Sequence, residues 1–576
     1  MSDPSTQTTC SPNRGNRFAW LALAALLVAN LPLMLCMPLT ADPVLYDLQA
    51  KTALTGGVLY RDVVEPNLPG IVWVHMGIRS LLGWSTYALR GVDLVIVGTI
   101  ALLLALWPMR RSGDDQNEPT NNAHLPLTIL FVLWCYFSMS EWTHCQRDIW
   151  LMLPAVSGLW LRRLQTLRVA NTTRPAAHLF GWSLIEGVLW GAAFWIKPFV
   201  AIPATAAILV STLLARQWRR SAIDLAGVLC GGAAIGLAGT AWLMQTGAWP
   251  WFWEMATEWN PTYFELGRER WTMSRYLSLT RRFYPWCLLH LVAVPVALRS
   301  LWQVAQTLKQ PRGTVRQQTL AAGLLGAAYL GWLFQAHFLQ HLFDYAHVPG
   351  TLLAIAVMAN AWPARVEYAP LARVAATGFA LLAIAITPAT DPDRLAWWGT
   401  CLREGSTPRV RTALQRVPLP DWQELQPVIE FLEEQDLKDG ELTAYNVFLI
   451  HLYPELGVRP STRYAFLDVL TRIFSNRSDL IHEALSESNQ RFVVSSLLEN
   501  GMHPDDIEAA GEVISRSLPP AFPQEHLHEF PYNQPLVFRS GQYVVHRVDG
   551  PVGPLNTDFH PLERERIERR VAQLEK

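Results

Sequence analysis

The sequence predicts a membrane α-helical protein: a bundle of about eleven transmembrane helices with a small α/β domain at the C-terminal end, outside the membrane. Three observations predict it. Apolar runs of about 17–25 residues recur up to residue 388, and at that length only a helix satisfies its own backbone in lipid. Of the 576 residues, 51% are hydrophobic and 16% charged, against about 25% charged in ordinary soluble chains. The connections between the runs are basic on alternate sides, as cytoplasmic loops are. The 25 tryptophans, many near the ends of runs, suit aromatic belts at the interface. A net charge of −1, with no basic arm and no glycine-rich phosphate loop, gives no reason to expect a nucleic-acid partner.

The runs fall at 18–38, 88–108, 124–140, 148–162, 180–196, 198–215, 222–245, 283–300, 318–338, 346–362 and 372–388. Arg14 and Arg17 precede the first, which is longer than a signal h-region and reads as an uncleaved helix. The pair at 180–215 is too long for one span and breaks at Lys197-Pro198, because proline disfavours a helical residue before it. With the N-terminal tail in the cytoplasm, the cytoplasmic connections carry Arg110 and Arg111; Arg162, Arg163, Arg168 and Arg174; Arg216, Arg219 and Arg220; Lys309, Arg312 and Arg316; Arg365 and Arg373. An odd count sends the C-terminal region outside, giving a multi-pass protein of the inner (plasma) membrane with parts 1–388 and 389–576. Within 389–576, "ELTAYNVFLIHLYPEL", "SNQRFVVSSLLENG" and "GQYVVHRVDG" read as strands with turns, and "PLERERIERRVAQLEK" as a charged helix or tail. Of the seven cysteines only Cys401 lies there, so no internal disulfide is expected in that part.

The residues that carry chemistry sit in connections on the outer side. The first, from Thr40 to Gly70, sets Asp42, Asp47, Lys51, Arg61, Asp62 and Glu65 among Tyr46 and Tyr60. The second, "SEWTHCQRD", holds Glu141, His144, Gln146, Arg147 and Asp148. Lys197 stands at the helix break. The long loop 247–282 holds Glu254, Glu258, Tyr263, Glu265, Arg268, Glu269, Arg270, Arg275, Arg281 and Arg282. The last, "QAHFLQHLFDYAHVPG", holds His337, Gln340, His341, Asp344 and His347. Ionisable groups at a bilayer edge face a cavity or a partner. Arginines against the positive-inside bias suit lipid phosphate, or pairing with Glu265 and Glu269. The stretch "IVWVHMGIRSLLGW" is amphipathic and lies in the interface.

In order and in side, these stretches resemble the GT-C glycosyltransferases, in the branch of protein O-mannosyltransferases and the lipid A aminoarabinose transferase. That branch opens with Asp-Glu-x-x-Tyr-x-x-x-Ala after helix one. Here the chain reads Asp42-Pro43-Val44-Leu45-Tyr46, then Ala50, "GGVLYRD" and "EPNLPG". Pro43 replaces the second acid, which argues against paired carboxylates and against a metal. "THCQRDIWLMLPAV", "GAAFWIKPFVAIP", "TGAWPWFWEMATEWNPTY" and "QHLFDYAHVP" resemble later motifs of the branch, and the likeness covers about residues 18–365.

The resemblance implies a GT-C bundle and an inverting transfer of a sugar from a polyprenyl-phosphate carrier to an acceptor hydroxyl at the outer face. The partners would be that lipid-linked sugar, membrane lipid, and an acceptor that is a glycan, a lipid or a protein; no cofactor is expected. Asp42 is the first choice for the general base, Asp47 the second, and Glu65 holds the sugar or the loop. If 44–53 is helical, Asp47 points elsewhere than Asp42. Tyr46, Arg147, Lys197, Tyr263, Arg268, Arg270, Arg275, His341 and His347 are candidates to bind substrate or phosphate. Arg147 beside Asp148 reads equally as an ion pair. His337, His341, Asp344 and His347 have a spacing that suits a metal, and a helix end explains it equally well. Two other readings stay open: a transporter or flippase of lipid-linked sugar, and a non-catalytic scaffold of the same fold.

Overall fold

The computed structural model describes residues 13–108, 124–170, 175–269, 271–310, 317–340, 343–361, 369–417, 419–508 and 514–557. The linker after Arg111 and the charged tail from Pro561 lie outside them. A helix stands at each of the eleven predicted runs. In chain order the helices are α1 (Asn13–Cys36), α2 (Ala41–Leu54), α3 (Gly70–Leu82), α4 (Thr86–Leu106), α5 (His124–Phe137), α6 (Arg147–Trp150), α7 (Met152–Ala170), α8 (Ala176–Ile196), α9 (Ala201–Ala215) and α10 (Trp218–Gln245). They continue with α11 (Trp249–Glu254), α12 (Asn260–Glu269), α13 (Met273–Arg282), α14 (Leu289–Lys309), α15 (Gln317–Phe338), α16 (Asp344–Ala361) and α17 (Ala369–Ile386).

By length and composition, seven of the described helices are fit to cross a membrane: α1, α4, α8, α9 with its leading turn, α10, α14 with its leading turn, and α15. The expected eleven is therefore not confirmed among the described residues. α5 has only 14 residues, α7 carries Arg162, Arg163 and Arg168, and α16 is diluted by Asp344 and His347. The expected loop 247–282 is instead helical, as α11, a π-turn at Met255–Trp259, α12 and α13.

Two short helices shape one end of the bundle. α2 and α3 fill the stretch between α1 and α4, and α3 wedges against α8 and α10. Trp73 meets Trp195 at 5.1 Å and Trp242 at 5.4 Å between ring centroids. Gly70 is needed at this contact, because an added Cβ would strike the Trp195 backbone. The C-terminal region rests on the same end. It has a five-stranded sheet ordered β1-β2-β5-β4-β3, from β1 (Leu442–Ala444), β2 (Phe492–Ser496), β3 (Ile514–Ser515), β4 (Leu536–Ser540) and β5 (Tyr543–Arg547). β1 and β2 are parallel and the other pairs antiparallel. The predicted strand "ELTAYNVFLIHLYPEL" is extended only at Leu442–Ala444 and turns helical from Val447. Asn446 bonds the Ser496 N–H at 2.8 Å in place of a ladder bond, and Pro454 has no N–H to give a ladder. A helix at Trp422–Glu433 covers the sheet, with Phe431 stacked on Phe538 at 4.6 Å. One apolar core runs without a break from α1 to β5.

Candidate active site

The site gathers where α2, α6, the α8–α9 break and α16 meet. Asp42 stands in the first turn of α2, where a negative charge suits the helix dipole. It is partly exposed, and its Oδ2 accepts a hydrogen bond from Gln146 Nε2 at 3.1 Å. Tyr46, four residues on, shares its helix face and is buried. Gln146 leads into α6, which turns Arg147 and Asp148 inward, both buried. Pro198 stops α8, so Lys197 takes an extended conformation and enters the protein. Its Nζ lies 2.7 and 2.8 Å from the two Asp148 oxygens and 5.6 Å from the Tyr345 ring centroid.

Asp148 is thus the partner of Lys197. Arg147 Nε is 3.9 Å from Asp148 Oδ2, and the Arg147 side chain donates no hydrogen bond to a described residue. Its charge faces Tyr46, Tyr345, Asp148 and Glu65. Burial pushes the Asp42 carboxyl above the usual carboxylate range, against the Gln146 hydrogen bond and the charges of Arg147 and Lys197. Burial also raises Glu65 to about 8, opposed by Arg147 and reinforced by Asp42. Near neutral pH Glu65 is mostly neutral. The arrangement offers a carboxylate with raised basicity beside a guanidinium that has hydrogen bonds to give.

The other predicted residues divide. Asp47 is turned away and its carboxylate is occupied. Its Oδ1 meets His75 Nδ1 and Arg79 Nε, each at 2.8 Å, and Oδ2 accepts a second Arg79 bond. That position is an ion pair tying α2 to α3, which leaves Asp42 as the carboxylate of α2 that faces the site. Tyr263, on α12, is half-buried and adjoins Tyr345. His347 is buried beside His337, ring centroids 4.6 Å apart, and faces Lys197. Arg275 sits in the first turn of α13, three residues after the capping Thr272. Arg268 lies on α12, and Arg270 and His341 are outside the described residues. Among the described residues no group of three or more His, Cys, Asp or Glu side chains is arranged to hold a metal ion. Sequence reasoning missed Tyr345 and the Asp148–Lys197 pair. A lysine at a helix break needs a buried carboxylate, and that need was the available signal.

No protein-family description matches the chain, and no curated protein matches it. Among solved structures it is similar to ArnT from Cupriavidus metallidurans bound to undecaprenyl phosphate, with 14% identity, 93% of this chain and 99% of that chain covered, and a TM-score of 0.49. It is similar to the Archaeoglobus fulgidus oligosaccharyltransferase in the apo form, with 11% identity, coverage of 84% and 70%, and a TM-score of 0.43. It is also similar to the oligosaccharyltransferase AglB of that archaeon in complex with an inhibitory peptide and a dolichol-phosphate, with 12% identity, coverage of 84% and 70%, and a TM-score of 0.41. These neighbours are GT-C superfamily membrane glycosyltransferases.

Proposed function

We propose that this chain is a membrane glycosyltransferase that moves a hexosyl or pentosyl group from a polyprenyl-phosphate carrier to an acceptor hydroxyl. One observation carries the reading: Arg147, with no hydrogen bond spent on a described residue, stands beside a partly exposed Asp42 at the end of the helix bundle. The acceptor oxygen attacks the anomeric carbon and inverts it. Asp42 takes the hydroxyl proton as the new C–O bond forms. The bond from the anomeric carbon to the phosphate oxygen breaks, and the polyprenyl phosphate leaves with the electron pair. Arg147 meets the charge that develops on that phosphate, with Lys197 behind it. Neutral Glu65 can donate a hydrogen bond to the sugar or the phosphate without opposing that charge. The step as written uses no metal, in keeping with Pro43 standing where the branch has a second acid.

The test is transfer by purified protein supplied with radiolabelled polyprenyl-phosphate sugars and candidate acceptors. Wild-type protein should release labelled product, and Asp42→Asn should slow it by about 10²- to 10⁴-fold, the usual contribution of a general base. Full-rate transfer by Asp42→Asn would remove Asp42 from the role. Donor binding unchanged in Arg147→Ala would remove Arg147 from phosphate recognition.

A further inference from the structure

A second polar cluster lies apart from Asp42, where the chain leaves α17. Arg394 sits in a short helix, Pro392–Leu395. It is only 7% exposed, and none of its three guanidinium nitrogens is hydrogen-bonded to a described residue. It faces Arg416, Glu141, Arg90 and the exposed Asp391, and His144 faces Arg90, Arg394 and Arg416. Arg90, Glu141 and His144 each keep one polar atom unspent. Arg90 holds the carbonyls of Met37, at 3.2 Å, and Pro38, leaving Nη1 unbonded. Glu141 Oε1 accepts from the backbone N–H groups of Arg416 and Val417 at 2.8 and 2.6 Å, leaving Oε2 unbonded. His144 Nε2 lies 3.0 Å from the Tyr136 carbonyl, which can only accept, so Nε2 carries the proton and Nδ1 keeps a lone pair. Arg416 is half-buried and stands at the edge.

A buried guanidinium without hydrogen bonds is strongly disfavoured. Carboxylates stand near the arginines, Glu141 and the exposed Asp391 by Arg394 and the buried Asp93 by Arg90, yet none of them accepts a hydrogen bond from Arg394, whose three nitrogens call for an acceptor with several oxygens. The unspent atoms narrow its chemistry. Arg394 and Arg90 supply N–H donors, and Glu141 Oε2 and His144 Nδ1 are acceptors. An anion with both bare and protonated oxygens matches both sets; chloride and a carboxylate match only the donors. We propose that Arg90, Glu141, His144, Arg394 and Arg416 form a binding site for phosphate with a free P–OH, either inorganic phosphate or a phosphomonoester lipid headgroup, separate from the transfer site. Burial, with Arg416 next, pushes Arg394 down to about 10, against Glu141 and Asp391.

The test is equilibrium binding to the full-length protein in neutral detergent. The probes are ³²P-labelled inorganic phosphate, short-chain phosphatidic acid and short-chain phosphatidylcholine. Binding of inorganic phosphate marks free phosphate as a ligand. Binding of phosphatidic acid alone marks the headgroup, and phosphatidylcholine, a diester without a P–OH, should not bind. Arg394→Met should weaken binding about tenfold or more, as expected for losing charge-assisted hydrogen bonds, and Arg394→Lys should weaken it less. Arg147→Met should remove only binding at the transfer site and leave the binding that Arg394→Met weakens. Without phosphate, Arg394→Met should melt above wild type, because a buried unpaired charge is gone. Should Arg394→Met not fold, Arg416→Gln at the edge should show the same loss. The proposal is overturned if neither phosphate probe binds, if phosphatidylcholine binds as well as phosphatidic acid, or if binding depends on Arg147 and not on Arg394.

Discussion

Asp47 holds His75 from below α3 and accepts two bonds from Arg79, whose Nη1 also reaches the carbonyls of Gly83 at 3.1 Å and Ser85 at 2.8 Å. One carboxylate therefore fixes α2, α3 and the start of α4. Removing it leaves a buried guanidinium without its counter-charge, a loss of about 3–5 kcal/mol. Asp47→Asn should melt well below wild type, whereas Asp42→Asn, which replaces a carboxyl that burial disfavours when charged, should melt near it. Burial works against Asp47's charge, but Arg79 and His75 prevail and hold its carboxyl below the usual range. Its contribution is present above the ordinary carboxylate value and is lost as pH falls through the lowered one. Glu65 runs the other way. Its folded value, about 8, is above the ordinary 4.5, so the folded state binds its proton more tightly. Stability from Glu65 is full below 4.5 and declines until about pH 8. Melting curves across that interval should fall less steeply for Glu65→Gln than for wild type; parallel curves would show that Glu65 titrates normally. Helical spacing alone separates Asp42 from Asp47. That Arg79 reaches Asp47 is a tertiary fact, invisible in the pattern of α2.

At the scale of elements, the apolar runs and the proline at 198 located most of the long helices to within about five residues, because hydrophobic length is a local property, although α14 runs to Lys309 and not to the predicted 300. The same reasoning misjudged α7. The basic residues from Arg162 onward were read as a cytoplasmic connection, yet α7 continues to Ala170 and Arg162 is fully buried. Arg162 Nε and Nη2 meet Glu186 at 2.8 and 2.6 Å, Nη1 meets Asp224, and Ser183 and Ser211 complete a cluster joining α7, α8, α9 and α10. Glu186 and Asp224 each sit alone in an apolar run, so nothing local marks them as partners. α8 and α10 pack closely enough for such a cluster because glycines let their backbones touch. An added Cβ at Gly187 would strike the Val228 carbonyl, and one at Gly231 the Leu184 carbonyl. Gly231→Val should separate the two helices, with a cost at or above the roughly 1–3 kcal/mol of overpacking. It should show as a lower melting temperature and loss of monodisperse protein. Gly232→Ala, whose new Cβ meets only the Gly187 carbonyl at 3.7 Å, should behave as wild type; equal damage from both would mean that close approach is not the cause.

Across the whole molecule, the C-terminal region is bonded to the segments that frame the site. The Val64 N–H donates to the Arg463 carbonyl at 2.8 Å, one residue before Glu65, and Lys51 reaches the Gly457 carbonyl at 3.3 Å. The Arg463 side chain pairs with Glu254 at 3.2 Å and lies over Trp251 at 5.1 Å. Arg477 pairs with Glu258 at 3.0 Å and lies over Trp259 at 5.0 Å. The sequence reading placed this region on the same side as the site by helix parity; these contacts join residues some two to four hundred positions apart, and no local signal announces them. A single exposed pair is worth about 0–1 kcal/mol, so Arg463 alone should not decide whether the protein folds. Its backbone and side chain instead hold the Glu65 loop and the 249–259 segment to one anchor, and local opening should depend on it. Arg463→Ala should therefore speed amide exchange in peptides covering 57–69 and 249–259 while leaving α15 unchanged. The swap Arg463→Glu with Glu254→Arg should restore most of the protection, since it rebuilds the pair. Uniform faster exchange would mean general destabilisation, and no change would mean that the site loops hold themselves. Under the proposed transfer reaction, the same loosening should raise KM for the donor more than it lowers kcat, because Arg463 touches no reacting atom and acts only by keeping the Glu65 loop in place.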